Sequence, residues 1–370
     1  MQFDISRHSR AGGARRLLFV SVAALALGAC EGVVKDIGAG VAGLLPDSGN
    51  GRAADASRDP RLAEARSRFD AGQPEQGVAI LRPMAQDGNA EAQFLLGLAY
   101  DDGRGVARDR RRALDLFEAA AAQGHSDAAY LAGLAHYRGR GTPADKDRAV
   151  DYIRQAADAG HAAARYRMGL LHQRGDGVGQ DPAVAVDWFR LSADQGFPEA
   201  AAALAAAYEN GVGVAKDLPW AIRWHERAAG YGVAGSQFKA GLFLSAGRGV
   251  PVDREDGLKW LILAARNGDD RAAQVIEAAR KRMTASAVRR AEAAARSWRA
   301  DPAGTVSHVD APTLRFVQAS LNRMGYDAGP VDAIDGPRTR RAVGAFRQDR
   351  NLGPGDGIDR AFLSALREDT

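Results

Sequence analysis

The chain has 370 residues, long enough for two or three domains; 46% are apolar and 26% charged, which excludes a disordered or fibrous protein. Its single cysteine, Cys30, excludes a disulfide framework, a Cys-x-x-Cys redox centre and a multi-cysteine zinc site. The formal net charge is +4, but residues 1–29 hold Arg7, Arg10, Arg15 and Arg16 against Asp4, so the remainder is near neutral and no nucleic-acid partner is expected.

Residues 1–30 read as a secretory signal. Arg15 and Arg16 close a positive segment, Leu17 to Leu27 form a short apolar run, and Leu27-Gly28-Ala29-Cys30 follows. The apolar run falls short of the roughly 20 residues needed to span a bilayer. Leu27-Gly28-Ala29-Cys30 resembles the lipobox of bacterial lipoproteins. That resemblance implies lipidation of Cys30 and cleavage before it. Glu31 follows Cys30; the resemblance associates an aspartate at that place with the inner membrane, so the outer membrane is expected. Residues 31–59, with Gly32, Gly38, Gly40, Gly43, Gly49 and Gly51, read as a flexible linker.

Residues 60–299 are organised by a 36-residue period. Gly88, Gly124, Gly160, Gly196, Gly232 and Gly268 keep that interval. So do the pairs Gly103/Gly105, Gly139/Gly141, Gly175/Gly177, Gly211/Gly213 and Gly247/Gly249, and the column Asp109, Asp145, Asp181, Asp217, Asp253. Gly97, Gly133, Gly169 and Gly241 form a further column, with Ala205 in the fourth slot. Five full repeats fill 90–269, each read as two helices. The glycine column inside the first helix predicts close approach of a neighbouring helix. The Gly-x-Gly pair predicts a left-handed end to that helix, and the aspartate an N-cap for the second. The bulky column Leu116, Tyr152, Trp188, Trp224, Trp260 is assigned to the core. One such hairpin cannot bury its apolar face, whereas stacked neighbours can, so the fold class is all-α, an α-solenoid. Residues 60–89 and 270–299 are its capping half-repeats, with Thr284 a cap between the last two helices. The block Leu98-Ala99-Tyr100, Gly103-Arg104-Gly105-Val106, Asp109, Ala113, Ala120-Ala121, Gln123-Gly124 resembles the Sel1-like repeat, a relative of the tetratricopeptide repeat. The resemblance implies a scaffold that binds proteins or peptides. Variable positions of the first helices nominate Gln93, Tyr137, Arg165, Gln173 and Gln237 as the partner-facing surface.

The period stops after a linker at 300–309. Residues 310–370 predict three short helices: one bearing Leu314, Val317, Leu321 and Met324, one opened by Gly336-Pro337-Arg338-Thr339, and one with Phe362, Leu363 and Leu366 inward. Leu321-Asn322-Arg323-Met324-Gly325-Tyr326, Gly329-Pro330-Val331-Asp332, Gly336-Pro337-Arg338-Thr339, Ala342-Val343, Phe346 and Asp356-Gly357 resemble the three-helix peptidoglycan-binding domain. Ala333 and Asp335 depart from that pattern. The resemblance implies a cell-wall ligand. Asp332, Asp335, Arg338 and Thr339, around the entrance to the second helix, are the candidate contacts.

No catalytic constellation emerges. Ser236-Gln237-Phe238-Lys239 fits Ser-x-x-Lys, but Ser236 occupies the slot of Ala92, Ala128, Ala164 and Ala200, and no partner motif accompanies it. His125 and His161 recur as helix-end residues; His136 and His172 share a column with Tyr100 and Tyr208. The chain is therefore read as no enzyme, with no cofactor or metal. It is expected to be a lipid-anchored periplasmic scaffold whose partners are peptidoglycan, a protein and a membrane. Regulation of polysaccharide export or envelope signalling, and an accessory role beside a wall hydrolase, stand as alternatives.

Overall fold

A computed structural model describes residues 59–300, 311–331, 337–353, 358 and 360–369. Cys30, Asp332, Asp335 and most of the 300–309 linker lie outside them. The described residues contain 17 helices and no strand. Helices α1 (Pro60–Asp70) and α2 (Pro74–Gln86) open the stack. The five repeats follow as α3 (Ala90–Asp102) with α4 (Arg110–Ala121), α5 (Ser126–Arg138) with α6 (Lys146–Asp158), α7 (Ala162–Arg174) with α8 (Pro182–Ala193), α9 (Pro198–Asn210) with α10 (Leu218–Gly230), and α11 (Ala234–Ala246) with α12 (Arg254–Arg266). Helices α13 (Asp270–Arg280) and α14 (Ala285–Ser297) close it, and the tail comprises α15 (Ala311–Arg323), α16 (Pro337–Asp349) and α17 (Arg360–Glu368).

Capping follows the sequence closely. Asp109, Asp145, Asp181, Asp217 and Asp253 each accept a hydrogen bond from a backbone N–H in the first turn of the helix they precede. Thr284 does the same for α14. Gly103, Gly139, Gly175, Gly211 and Gly247 end the first helices with φ between 66° and 73°, a conformation that strains any other residue.

The second glycine of each pair has a different task. A Cβ at Gly105 would stand 2.5 Å from the carbonyl of Pro74, the first residue of α2. Gly141 meets Arg110, Gly177 meets Lys146 and Val150, Gly213 meets Pro182, and Gly249 meets Leu218 in the same way. Each is the turn's seat on the start of the preceding repeat's second helix. The glycine of the first helix sets spacing within a repeat. A Cβ at Gly97 would lie 2.6 Å from the Phe117 ring; at Gly133, 2.7 Å from Ile153; at Gly169, 2.5 Å from Phe189; at Gly241, 2.7 Å from Leu261.

The deepest core column is therefore Phe117, Ile153, Phe189, His225, Leu261, one residue beyond the column expected. Of the expected column, Trp224 and Trp260 are buried, while Leu116, Tyr152 and Trp188 are half-buried. In four repeats a glycine opposite makes room for the later residue, so it goes deeper; in the fourth, Ala205 stands there and Trp224 is more fully buried than His225.

Candidate functional site

The nominated partner surface divides under inspection. Gln93, Arg165 and Gln237 occupy one column and do one structural job. Their side-chain N–H groups donate to the carbonyls of Ala85, Ala157 and Ala229, each eight residues back, at 3.2, 3.0 and 3.1 Å. Gln93 and Gln237 are also bracketed from the end of the second helix of their own repeat. Gln123 Nε2 donates to Gln93 Oε1 at 2.8 Å, and Asn267 Nδ2 to Gln237 Oε1 at 2.9 Å. Gln93 and Gln237 are buried, so they are not surface contacts. The column tolerates different side chains because its partner is backbone, which is constant. Tyr137 donates its hydroxyl to Asp176 of the following repeat, and the Arg167 guanidinium lies 4.5 Å over its ring. Gln173 is exposed.

Two of the histidines are helix-end residues. His125 and His161 cap α5 and α7, Nδ1 accepting from the N–H of Ala128 and Ala164 at 3.3 and 3.1 Å. Nε2 then carries the proton and faces Glu91 and Asp127 of the preceding first helix, each at 3.1 Å. Among the described residues no group of three or more His, Cys, Asp or Glu side chains could hold a metal ion.

An open groove of about 710 Å³ runs along the turn between α3 and α4. Arg82, Arg108, Arg110 and Arg112 line it, with Tyr100 and Val106. Arg112 is held against Tyr100, its NH1 3.0 Å from the hydroxyl and its guanidinium 5.2 Å over the ring.

In the tail, Thr339 is buried. Its hydroxyl donates to the Ala328 carbonyl at 3.0 Å and accepts from Gln318 at 3.1 Å. It braces the loop entering α16 and presents nothing to a ligand, which corrects its assignment as a wall contact. Arg338 is exposed, 3.7 Å from Asp327, with its stem against Gly329. Asn322 grips the same loop at adjacent residues, donating to the Gly329 carbonyl and accepting from the Ala328 N–H, each at 2.8 Å.

Sequence reasoning missed a polar cluster where the tail meets the repeats. Helix α15 lies against α10. Arg315 reaches Glu226 at 2.7 Å, Asp256 at 2.8 Å and Asp253 at 3.3 Å. Burial pushes the Glu226 carboxyl up to about 7, against the pull of Arg315. Burial also raises Asp256, but Lys259 and Arg315 outweigh it and hold that carboxyl below its ordinary range. The sequence signal was available: Trp220 and Arg223 break columns that read Arg112, Arg148, Val184 and Asp115, Asp151, Asp187 in the earlier repeats.

Ser236 also resolves. His225 Nδ1 lies 3.3 Å from its hydroxyl, Nε2 lies 3.4 Å from Glu209, and Lys239 pairs with Glu209 at 2.8 Å. All of this sits on or beside the core column, and Ser236 is 2% exposed, so the Ser-x-x-Lys pattern serves packing. A hydrogen bond from His225, with help from Lys239 and against burial, holds Glu209 down to about 2. Burial lowers the His225 imidazole despite Glu209. The unfolded chain then binds more protons than the folded one near pH 6, so stability falls as pH drops through the ordinary histidine range. Replacing His225 with Gln is expected to remove a slope of up to about 1.4 kcal/mol per pH unit between pH 7 and 5. Urea titrations at pH 5, 6 and 7 measure it; an unchanged slope refutes the assignment. Glu209 contributes separately, its stabilisation present above pH ~4.5 and lost as pH falls toward 2.

Comparison with known proteins agrees with this architecture. Residues 90–125, 126–161, 162–197, 198–230 and 234–269 match the Sel1 repeat family, and 310–366 match the family described as "Putative peptidoglycan binding domain". A Sel1 repeat protein from Oxalobacter formigenes is 27% identical, with 64% of this chain and 97% of that one covered and a TM-score of 0.54. The c5321 protective antigen of uropathogenic Escherichia coli, which displays an SLR fold, is 25% identical, with 83% and 63% covered and a TM-score of 0.57. The localization factor PodJL of Caulobacter vibrioides is 30% identical over 112 residues, 28% of this chain but only 12% of PodJL. Five Sel1 repeats, a kind of repeat associated with protein–protein interaction, thus precede a match to a peptidoglycan-binding domain family, and both are non-catalytic kinds of domain.

Proposed function

We propose that this chain is a non-catalytic scaffold of the bacterial envelope, lipid-anchored in the periplasm with the outer membrane as its site. The observation that carries this reading is the joining of Sel1 repeats to a domain of a wall-binding family in one polypeptide. The Leu27-Gly28-Ala29-Cys30 sequence supports the anchor, since acyl chains attached at Cys30 would hold the protein on a membrane at about 0.8 kcal/mol per buried methylene. The arginine-lined groove beside Tyr100 suits an acidic segment of a protein partner. Arg338, with Asp332 and Asp335, is the proposed wall contact; an exposed guanidinium at a helix start suits a stem-peptide carboxylate.

Sedimentation with purified sacculi tests the wall contact. The full chain is expected to co-sediment, and Arg338→Ala to weaken binding about tenfold, or ~1.4 kcal/mol. Equal sedimentation of both would remove Arg338 from the site, and failure of the unaltered chain would end the wall-binding reading. Palmitate labelling, abolished by Cys30→Ala, tests the anchor.

A further inference from the structure

The second helices of the repeats carry a face that points away from their own cores. In the first two repeats that face is charged and open, with Arg112 and Asp115 on α4 and Arg148 and Asp151 on α6 exposed; α8 has a half-buried Val184 and an exposed Asp187 at the same places. On α10 the same columns read Trp220 and Arg223, and a turn further on comes Glu226. All three are buried, Trp220 and Glu226 to 2% exposure. What covers them is the tail. The Phe316 ring centroid lies 3.9 Å from that of Trp220. The Arg223 guanidinium lies between rings, 4.7 Å from Trp220, 4.6 Å from Trp224 and 5.8 Å from Phe316. Arg367 of α17 approaches Trp220 at 5.0 Å. Arg315 enters the acidic pocket of Glu226, Asp253 and Asp256, which neighbouring helices α10 and α12 build together.

Two features mark this as a built contact. The departures from the repeat pattern fall on the positions the tail covers. The charges also match: a single arginine meets three carboxylates, one of which, Asp256, also pairs with Lys259 at 2.5 Å. Leaving Glu226 buried without Arg315 would be costly, because an uncompensated charge in the interior has no water to solvate it.

We propose that the second helix of the fourth repeat is a receptor for the protein's own tail domain, holding it as a charge-locked latch. The latch makes the repeats and the tail one load-bearing body across the 300–309 segment. It also reserves the face of the fourth repeat for the tail, leaving the equivalent faces of the first two repeats for foreign partners. The inference does not depend on what the tail binds.

The test uses the whole chain with a protease site inserted within residues 303–308. After cleavage, size-exclusion chromatography at low salt reads the fraction of tail that stays with the repeats. The cleaved parent protein is expected to retain its tail. Arg315→Glu, which faces three carboxylates, is expected to release at least tenfold more. Arg323→Glu makes the same charge change on the same helix from an exposed position and is expected to release no more than the parent. Because Arg315→Glu alters the tail, Trp220→Arg serves as the complementary variant. It restores the residue of the first two repeats, leaves the tail sequence intact and is expected to release the tail as well. Separation of the parent tail on cleavage, or retention in both Arg315→Glu and Trp220→Arg, overturns the latch.

Discussion

Gly105→Ala is expected to destabilise the protein by about 2–5 kcal/mol, and Gly124→Ala by only about 1–2 kcal/mol. Both glycines have positive φ, 73° and 87°, so both substitutions carry the left-handed strain of an L-residue, about 1–2 kcal/mol. Their surroundings differ. Nothing lies within 4 Å of a Cβ at Gly124. A Cβ at Gly105 meets the Pro74 carbonyl carbon and oxygen at 2.5 Å and the Glu75 nitrogen at 2.8 Å. These are backbone atoms at the start of a helix and cannot rotate aside, so the turn must lift off the preceding repeat. Overpacking of this kind costs typically a further 1–3 kcal/mol. The gain from restricting the unfolded chain is the same for both variants and cancels in the comparison. Urea unfolding of the pair measures the difference; equal midpoints would mean that the turn does not seat on the neighbouring repeat.

His225→Phe is expected to cost about 2–4 kcal/mol, and to be largely rescued by adding Ala205→Gly and Ser236→Ala. Each other repeat pairs a glycine of the first helix with a bulky residue of the second, as Gly169 does with Phe189. The fourth repeat has Ala205 opposite His225. A phenylalanine there would press on the alanine Cβ as Phe189 would press on a Cβ at Gly169. It would also deprive the Ser236 hydroxyl and one bond to Glu209 of their partner, and an unsatisfied buried polar group costs roughly 1–3 kcal/mol. The two added changes restore the pattern of the neighbouring repeats, while Lys239 still pairs with Glu209. The three substitutions should therefore couple by more than 1 kcal/mol. A triple variant no more stable than His225→Phe alone would show that these residues vary independently.

Legibility in the sequence followed the locality of the interaction. The Asp N-caps and Gly C-caps involve partners within four residues, and a 36-residue period repeats that local information five times. Caps, turns and helix pairs were accordingly readable from Asp109, Gly103 and their equivalents. The glycines of the first helices could be assigned to close packing because a helix interior otherwise disfavours them by about 1 kcal/mol. Polar side chains were harder. Gln93 and Gln237 look like surface residues by type, but they satisfy carbonyls at the end of the preceding helix. Thr339, at a helix entrance, looks like a ligand contact and is a brace.

Sequence alone settled the repeat number, the helical hairpin, the capping chemistry and the presence of a different small domain at the C-terminus, because each is written in a period or in short spacings. Tertiary structure decided where the second glycines seat, which column lies deepest, and that Glu226, Asp256 and Arg315 meet. Those contacts join residues up to 89 positions apart, as Arg315 and Glu226 are. No local spacing encodes such a meeting, because its free energy comes from desolvating charges and rings that come together only once the helices have stacked.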